Sequence, residues 1–114
     1  MTSVLLVDDH PPFRESARGL LELGGFDVVG EAADGESAVR LAEELRPDVV
    51  LLDVHLPGID GFEAAAQLAR LEPPPEVVLT SSRDDYAHLV GGSAARAFIR
   101  KDALSAEALA SALA

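Results

Sequence analysis

Three carboxylates, one ammonium and one hydroxyl stand at the ends of short runs that read as strands in this sequence. Asp8 and Asp9 follow Val4 to Val7, Asp53 follows Val49 to Leu52, Thr80 ends Glu76 to Thr80, and Lys101 follows Arg96 to Arg100. Read singly, each has an ordinary meaning: Asp8-Asp9 as a solvated loop capping a helix, Thr80 as a β-branched strand residue, Lys101 as a solvent-facing lysine. Read together they make a site. Three carboxylates in one crevice raise one another's pKa values unless a cation lies between them. Magnesium suits such a set, because one or two carboxylates with several waters is its usual shell. The chain has no cysteine and no paired histidines at ligand spacing, which disfavours zinc, and no acid-rich loop of EF-hand spacing, which disfavours calcium. Lys101 is the only lysine in a chain with 9 basic residues. As a compact ammonium it can pair with a carboxylate or a phosphoryl oxygen, and the Thr80 hydroxyl can donate to such an oxygen too.

Residues this far apart in sequence meet when they share the carboxyl rim of a parallel sheet. The periodicity predicts that arrangement. Val4 to Val7 reads as a strand, and Phe13, Ala17, Leu20 and Leu21 form a helical stripe ending at Gly24-Gly25. Phe26 to Ala32 alternates like a half-exposed strand, Asp34 caps a helix striped by Ala38, Leu41, Ala42 and Leu45, and Pro47 stops it. Val49 to Leu52 is continuously apolar. Asp60 and Glu63 then stand at capping-box spacing before a helix that ends ahead of Pro73-Pro74-Pro75. Glu76 to Thr80 and Arg96 to Arg100 are the fourth and fifth strands, and Ser105 caps a last helix. Between those two strands, Arg83 to Ala95 has a helical pattern interrupted by Gly91-Gly92; each interior glycine costs about 1 kcal/mol against alanine, so a short or loose helix is expected. Alternating strands and helices imply right-handed crossovers and an α/β/α three-layer sandwich of (βα)5 type. The second and fifth strands carry polar residues and belong at the edges, which gives the flavodoxin-like order 2-1-3-4-5 with a crevice beyond strands one and three.

Composition narrows the partners. The chain has 114 residues, 48% of them hydrophobic, and a net charge of -11, which describes a single domain spanning residues 1–114 with no internal boundary. Its basic residues are few and scattered, so direct nucleic-acid binding and anionic membranes are disfavoured. The first residues lack the basic segment and long apolar stretch of a signal peptide or anchor, and the cytoplasm is the expected location.

The acidic pair in Val-Leu-Leu-Val-Asp-Asp-His, the stretch Asp53-Val-His-Leu-Pro-Gly-Ile-Asp-Gly61, Thr80, and Phe98-Ile-Arg-Lys101 together resemble the CheY-like receiver domain of two-component response regulators, over the whole chain. The resemblance implies that Asp53 is the phosphoacceptor, taking a phosphoryl group from a phosphohistidine on a sensor histidine kinase or phosphotransfer protein. It implies that Asp9 binds Mg2+ directly, Asp8 largely through water, and His55 through its backbone carbonyl. Thr80 and Lys101 would bind phosphoryl oxygens, and His55 and Ser82 would tune water access. An aromatic at Phe98 would swing inward with the Thr80 hydroxyl and re-present the surface of the 83–95 segment, strand five and the last helix. Such a protein is a signalling module, not an ordinary enzyme, although it catalyses its own phosphorylation and slow dephosphorylation.

Asp-Asp-His-Pro and Phe-Ile-Arg-Lys-Asp are similar to the NarL/FixJ subgroup, whose receivers usually precede a helix-turn-helix output domain; residues 1–114 contain no such domain. A transcriptional output is the expectation that follows, and a homodimer is left open. The 83–95 segment departs from the subgroup in being about one residue short and glycine-rich. Two alternatives compete: a degenerate receiver that signals without phosphorylation, and a magnesium-dependent phosphatase with an aspartyl nucleophile. The second is disfavoured because the acids after strand one are adjacent, without Asp-x-Asp spacing.

Overall fold

The computed structural model describes residues 1–83 and 87–114. Its elements run β1 (Ser3–Val7), α1 (Pro11–Leu23), β2 (Asp27–Ala32), α2 (Gly35–Leu45), β3 (Val49–Asp53), α3 (Gly61–Leu68), β4 (Glu76–Ser81), β5 (Ala97–Arg100) and α4 (Ala106–Leu113). All strand pairings are parallel, in the order β2-β1-β3-β4-β5. The edge positions of β2 and β5 are those their polar residues demand.

Side-chain alternation divides the interior into two layers. Val4 and Leu6 of β1, Val49 and Leu51 of β3 and Val78 of β4 face α1 and α4, where they pack with Ala17, Leu21 and Leu109. Leu5, Val7, Val50, Leu52, Val77 and Leu79 face the other way, against Ala38 and Ala42 of α2 and Ala64, Ala65 and Leu68 of α3. β1, β3 and β4 are thus buried on both faces, as central parallel strands are.

Helix starts follow the sequence closely at three places. Asp34 accepts from the Ser37 backbone N–H at 2.7 Å, Asp60 from Glu63 at 2.9 Å, and Ser105 from Ala108 at 3.0 Å. The acidic pair before α1 does not cap it. The cap position is His10, which makes no side-chain cap bond, and prolines occupy the first turn; they have no N–H to satisfy. Asp8 and Asp9 are released for another role.

The helix expected over 83–95 is, among the described residues, a 3₁₀ segment at Ala87–Gly92, so four α-helices flank the sheet. Residues 84–86 of that expectation lie outside the described residues. The segment stops at the two glycines, where the Ser93 hydroxyl takes the Val90 carbonyl at 2.8 Å and its oxygen receives the Ala95 N–H at 3.1 Å. A serine bonding locally to backbone competes with helix continuation. No helix among the described residues is long and apolar enough to cross a membrane.

Candidate functional site

At the carboxyl rim the parallel register brings strand ends level. Asp53 is the Cα partner of Thr80, and the Val54 N–H donates to the Thr80 carbonyl at 2.9 Å. Both side chains are buried, as is Asp8, which is 1% exposed and therefore not a solvated loop residue. The Asp8 N–H donates to the Ala32 carbonyl at 3.0 Å, continuing the β1–β2 ladder by one residue.

Lys101 reaches in from the end of β5. Its Nζ lies 2.6 Å from Asp8 Oδ2 and 3.3 Å from Asp53 Oδ2. The ring of Phe13 forms a third wall, its centroid 4.8 Å from the ammonium, close enough for a cation–π attraction. The remaining carboxylate oxygens turn back to their own loops: the His10 N–H donates to Asp8 Oδ1 at 2.8 Å and the His55 N–H to Asp53 Oδ1 at 3.2 Å.

The electrostatics follow from this crowding. Burial first, and the neighbouring charge of Asp8 second, push the Asp53 carboxyl above its usual range, while Lys101 and the His55 N–H pull it back only in part. Burial alone would lower the Lys101 ammonium, but the two carboxylates outweigh it and hold the pKa above its ordinary value. The ammonium stays charged because it is the counterion of an acidic pocket.

The donor set fits a hard divalent cation. Asp8 Oδ2 is buried, with the Lys101 ammonium 2.6 Å away as its counterion and no hydrogen bond of good geometry. Asp8, Asp9 and His10 offer ligand atoms within 4.8 Å of one another. Asp9 is half exposed, with His10 Nδ1 at 3.8 Å from its Oδ1. An exposed acid beside a buried one suits a magnesium ion that keeps several waters.

Thr80 and Phe98 are brought close without sharing a register position. Thr80 pairs with Ile99, and Phe98 pairs with Leu79 while packing, half-buried, on the layer beneath α2 and α3. Ser82 is exposed at the rim, and so is His55, whose backbone N–H rather than its ring engages Asp53.

Three contributors were not read from the sequence. Phe13 looks like plain core in a helical stripe. Arg14 donates to the Asp8 carbonyl and, through Nε, to Glu31 Oε1 at 2.9 Å, while Arg18 Nε takes Glu31 Oε2 at 2.9 Å. Glu31 is an acid in an otherwise apolar stretch of β2, one helical repeat of arginines away on α1, and that was the available signal. Burial alone would raise the Glu31 carboxyl, but Arg18 and Arg14 outweigh it and hold it below its usual range of about 4.5. A depressed acid contributes stability present above its unfolded pKa and lost as pH falls through the folded one. Glu31→Gln should therefore lower the melting temperature at pH 7 and shrink the difference from the parent as pH falls below 4.5. Parallel melting curves that keep a constant gap down to pH 3 would contradict this account.

The third is Gly61. A Cβ there would lie 2.4 Å from the Asp53 carbonyl oxygen and 2.7 Å from Val54 Cα, since the Gly61 N–H donates to the Val54 carbonyl at 2.8 Å. The start of α3 is pressed onto the backbone that carries Asp53. Gly61→Ala should cost about 1–3 kcal/mol in urea denaturation, the range for overpacking a tight site, and shift the Asp53 and Val54 amide resonances.

Comparison with known proteins agrees with this fold. The family model described as the response regulator receiver domain matches residues 4–114. The transcriptional regulatory protein YdfI of Bacillus subtilis is 37% identical over 107 residues, covering 92% of this chain and 50% of its own length. The chain thus spans about half the length of curated relatives of this kind. Among solved structures, the signal receiver domain of the putative response regulator NarL from Mycobacterium tuberculosis superposes with a TM-score of 0.88 at 37% identity, covering 96% of this chain and 94% of that one. The CheX-CheY-BeF3-Mg complex from Borrelia burgdorferi gives a TM-score of 0.83 at 25% identity, covering 98% and 86%.

Proposed function

This chain belongs to the response regulator receiver domain family of two-component signalling, and from that membership we propose that its acidic crevice captures a phosphoryl group on Asp53. The donor is a phosphohistidine on a sensor histidine kinase or phosphotransfer protein. One observation carries the reading: a single ammonium bridges two buried aspartates whose burial and mutual charge leave Asp53 in need of a cation.

The chain's residues divide the work. An Asp53 carboxylate oxygen attacks phosphorus as the bond from phosphorus to the donor imidazole nitrogen breaks, and the imidazole leaves with its electron pair and takes up a proton. Phosphoryl transfer passes through a loose transition state, so positioning and charge do most of the catalysis. The His55 N–H fixes one Asp53 oxygen, and Lys101, already 3.3 Å from the other, is within reach of an equatorial phosphoryl oxygen. The Thr80 hydroxyl, level with Asp53, donates to a second. Asp8, Asp9, Asp53 and the His55 carbonyl would hold Mg2+, which when bound supplies charge neutralisation at the transferring oxygens. The relative in complex with Mg and BeF3 supports that assignment.

Phosphorylation then biases a two-state surface made by the Ala87–Gly92 segment, β5 and α4, with Thr80 and Phe98 as its switch. The transcriptional regulators among its relatives support a transcriptional output through a domain or partner other than these residues. A homodimer and a cytoplasmic location complete the reading. The test is incubation with acetyl phosphate and Mg2+ followed by intact-mass measurement. A hydroxylamine-labile phosphoryl adduct is expected; no adduct would leave a phosphorylation-independent interaction module, and multiple-turnover release from varied phosphate esters would indicate a hydrolase.

A further inference from the structure

The acidic loop after β1 is held by more than its own residues. Arg14, one turn into α1, donates from Nη1 to the Asp8 carbonyl and from Nε to Glu31 Oε1 at 2.9 Å. Glu31 on the edge strand is in turn fixed by Arg18, whose Nε lies 2.9 Å from Oε2 and whose Nη1 donates to the Val28 carbonyl at 3.3 Å. The Arg14 side chain is 17% exposed, which limits competition from water. The same Asp8 peptide is anchored to β2 on its other side, through its N–H to Ala32. Both backbone polar groups of Asp8 are thus tied to the edge strand, one directly and one through a guanidinium bridge. That leaves its buried carboxylate aimed into the crevice, with Oδ2 against the Lys101 ammonium.

We propose that Arg14 is a positioning residue for the divalent-cation site, acting through the Asp8 carbonyl, with Glu31 holding its fork in place. The inference rests on the phosphoacceptor reading above. The sign of the effect separates positioning from charge. Removing a cation near an acidic pocket should tighten binding of another cation if Coulomb's law alone decides, and more so here because Glu31 would lose one of its counterions. Loss of a group that orients a ligand instead weakens binding, typically by about 10–100-fold.

The experiment is a Mg2+ titration of the full chain followed by amide chemical shifts of residues 8–10 and 53–55, on the parent, Arg14→Ala, Arg14→Lys and Arg18→Ala. Expected is a rise in the magnesium dissociation constant of about 10-fold for Arg14→Ala. Arg14→Lys should rescue little, since an ammonium lacks the planar fork that spans two acceptors. Arg18→Ala, which loosens Glu31 without touching Asp8, should stay within about two-fold of the parent while its melting temperature falls. Equal or tighter binding by Arg14→Ala overturns the inference and leaves the phosphoacceptor reading intact. A parent chain that binds no Mg2+ overturns both. Should Arg14→Ala fail to fold, Arg14→Lys decides: parent-like affinity in that variant also overturns the proposal.

Discussion

Asp53→Asn is expected to fold at least as stably as the parent and to carry no phosphoryl adduct. The stability half follows from linkage. Asp53 is 3% exposed, and burial together with the Asp8 charge holds its folded pKa above the ordinary 3.8. Between the unfolded and folded pKa the native state keeps a proton that the unfolded chain has lost, so stability falls as pH rises through that window. Above the raised folded value the whole penalty is present. Asparagine has nearly the same shape and no charge to bury, and Lys101 keeps its closer partner, Asp8, at 2.6 Å. The functional half follows from nucleophilicity, since an amide oxygen cannot take the carboxylate's place in an acyl phosphate. Melting curves in EDTA at pH 7 and intact mass after acetyl phosphate with Mg2+ check both. A variant melting well below the parent would contradict the electrostatic account; labelling equal to the parent's would move the acceptor elsewhere.

Lys101→Ala is expected to damage the protein on both counts. It leaves Asp8 Oδ2 with no cation among the described residues and sets two buried carboxylates against each other. Removing one partner of a buried ion pair costs about 3–5 kcal/mol. The Lys101 side chain is 18% exposed, so the lower figure is the better expectation. Its own pKa lies above 10.5, so on the ammonium's side the contribution is present at neutral pH and is lost as pH climbs through that raised value. Millimolar Mg2+ should recover part of the loss by replacing the missing charge. Adduct formation from acetyl phosphate should slow by roughly 10²-fold or more, the usual effect of deleting one charge-stabilising donor. Urea denaturation with and without Mg2+, and adduct time courses by mass, test this. A parent-like denaturation midpoint in EDTA would show that the ammonium does not hold the carboxylates together.

The sheet order and the rim were legible because hydrophobic patterning and strand-end polarity are local properties of the chain. Val49 to Leu52 is apolar on both faces, Phe26 to Ala32 is not, and that contrast alone sorted centre from edge. Asp8, Asp53, Thr80 and Lys101 then converged because parallel strands end on one side. What was not legible depends on long-range packing. Nothing in Asp8-Asp9-His10-Pro11 shows that the first acid is buried and that prolines make a cap unnecessary. The Arg14–Glu31 bridge needs the crossing of α1 over β2. The squeeze at Gly61 needs the path of α3 against the end of β3. The glycine pair made a short or loose helix the expectation over 83–95, and its described part is the 3₁₀ segment Ala87–Gly92; the Ser93 hydroxyl bond that closes it was not read.

The central sheet acts as a partition. Leu21 and Leu109 lie on one side of it and Leu68 and Leu52 on the other, in clusters that share backbone but no side-chain contents. Losses on opposite sides should then add rather than compensate. Sequence drift beneath α2 and α3 is thereby decoupled from drift beneath α1 and α4, so each half can be remodelled for a new interlocutor while the other keeps its composition.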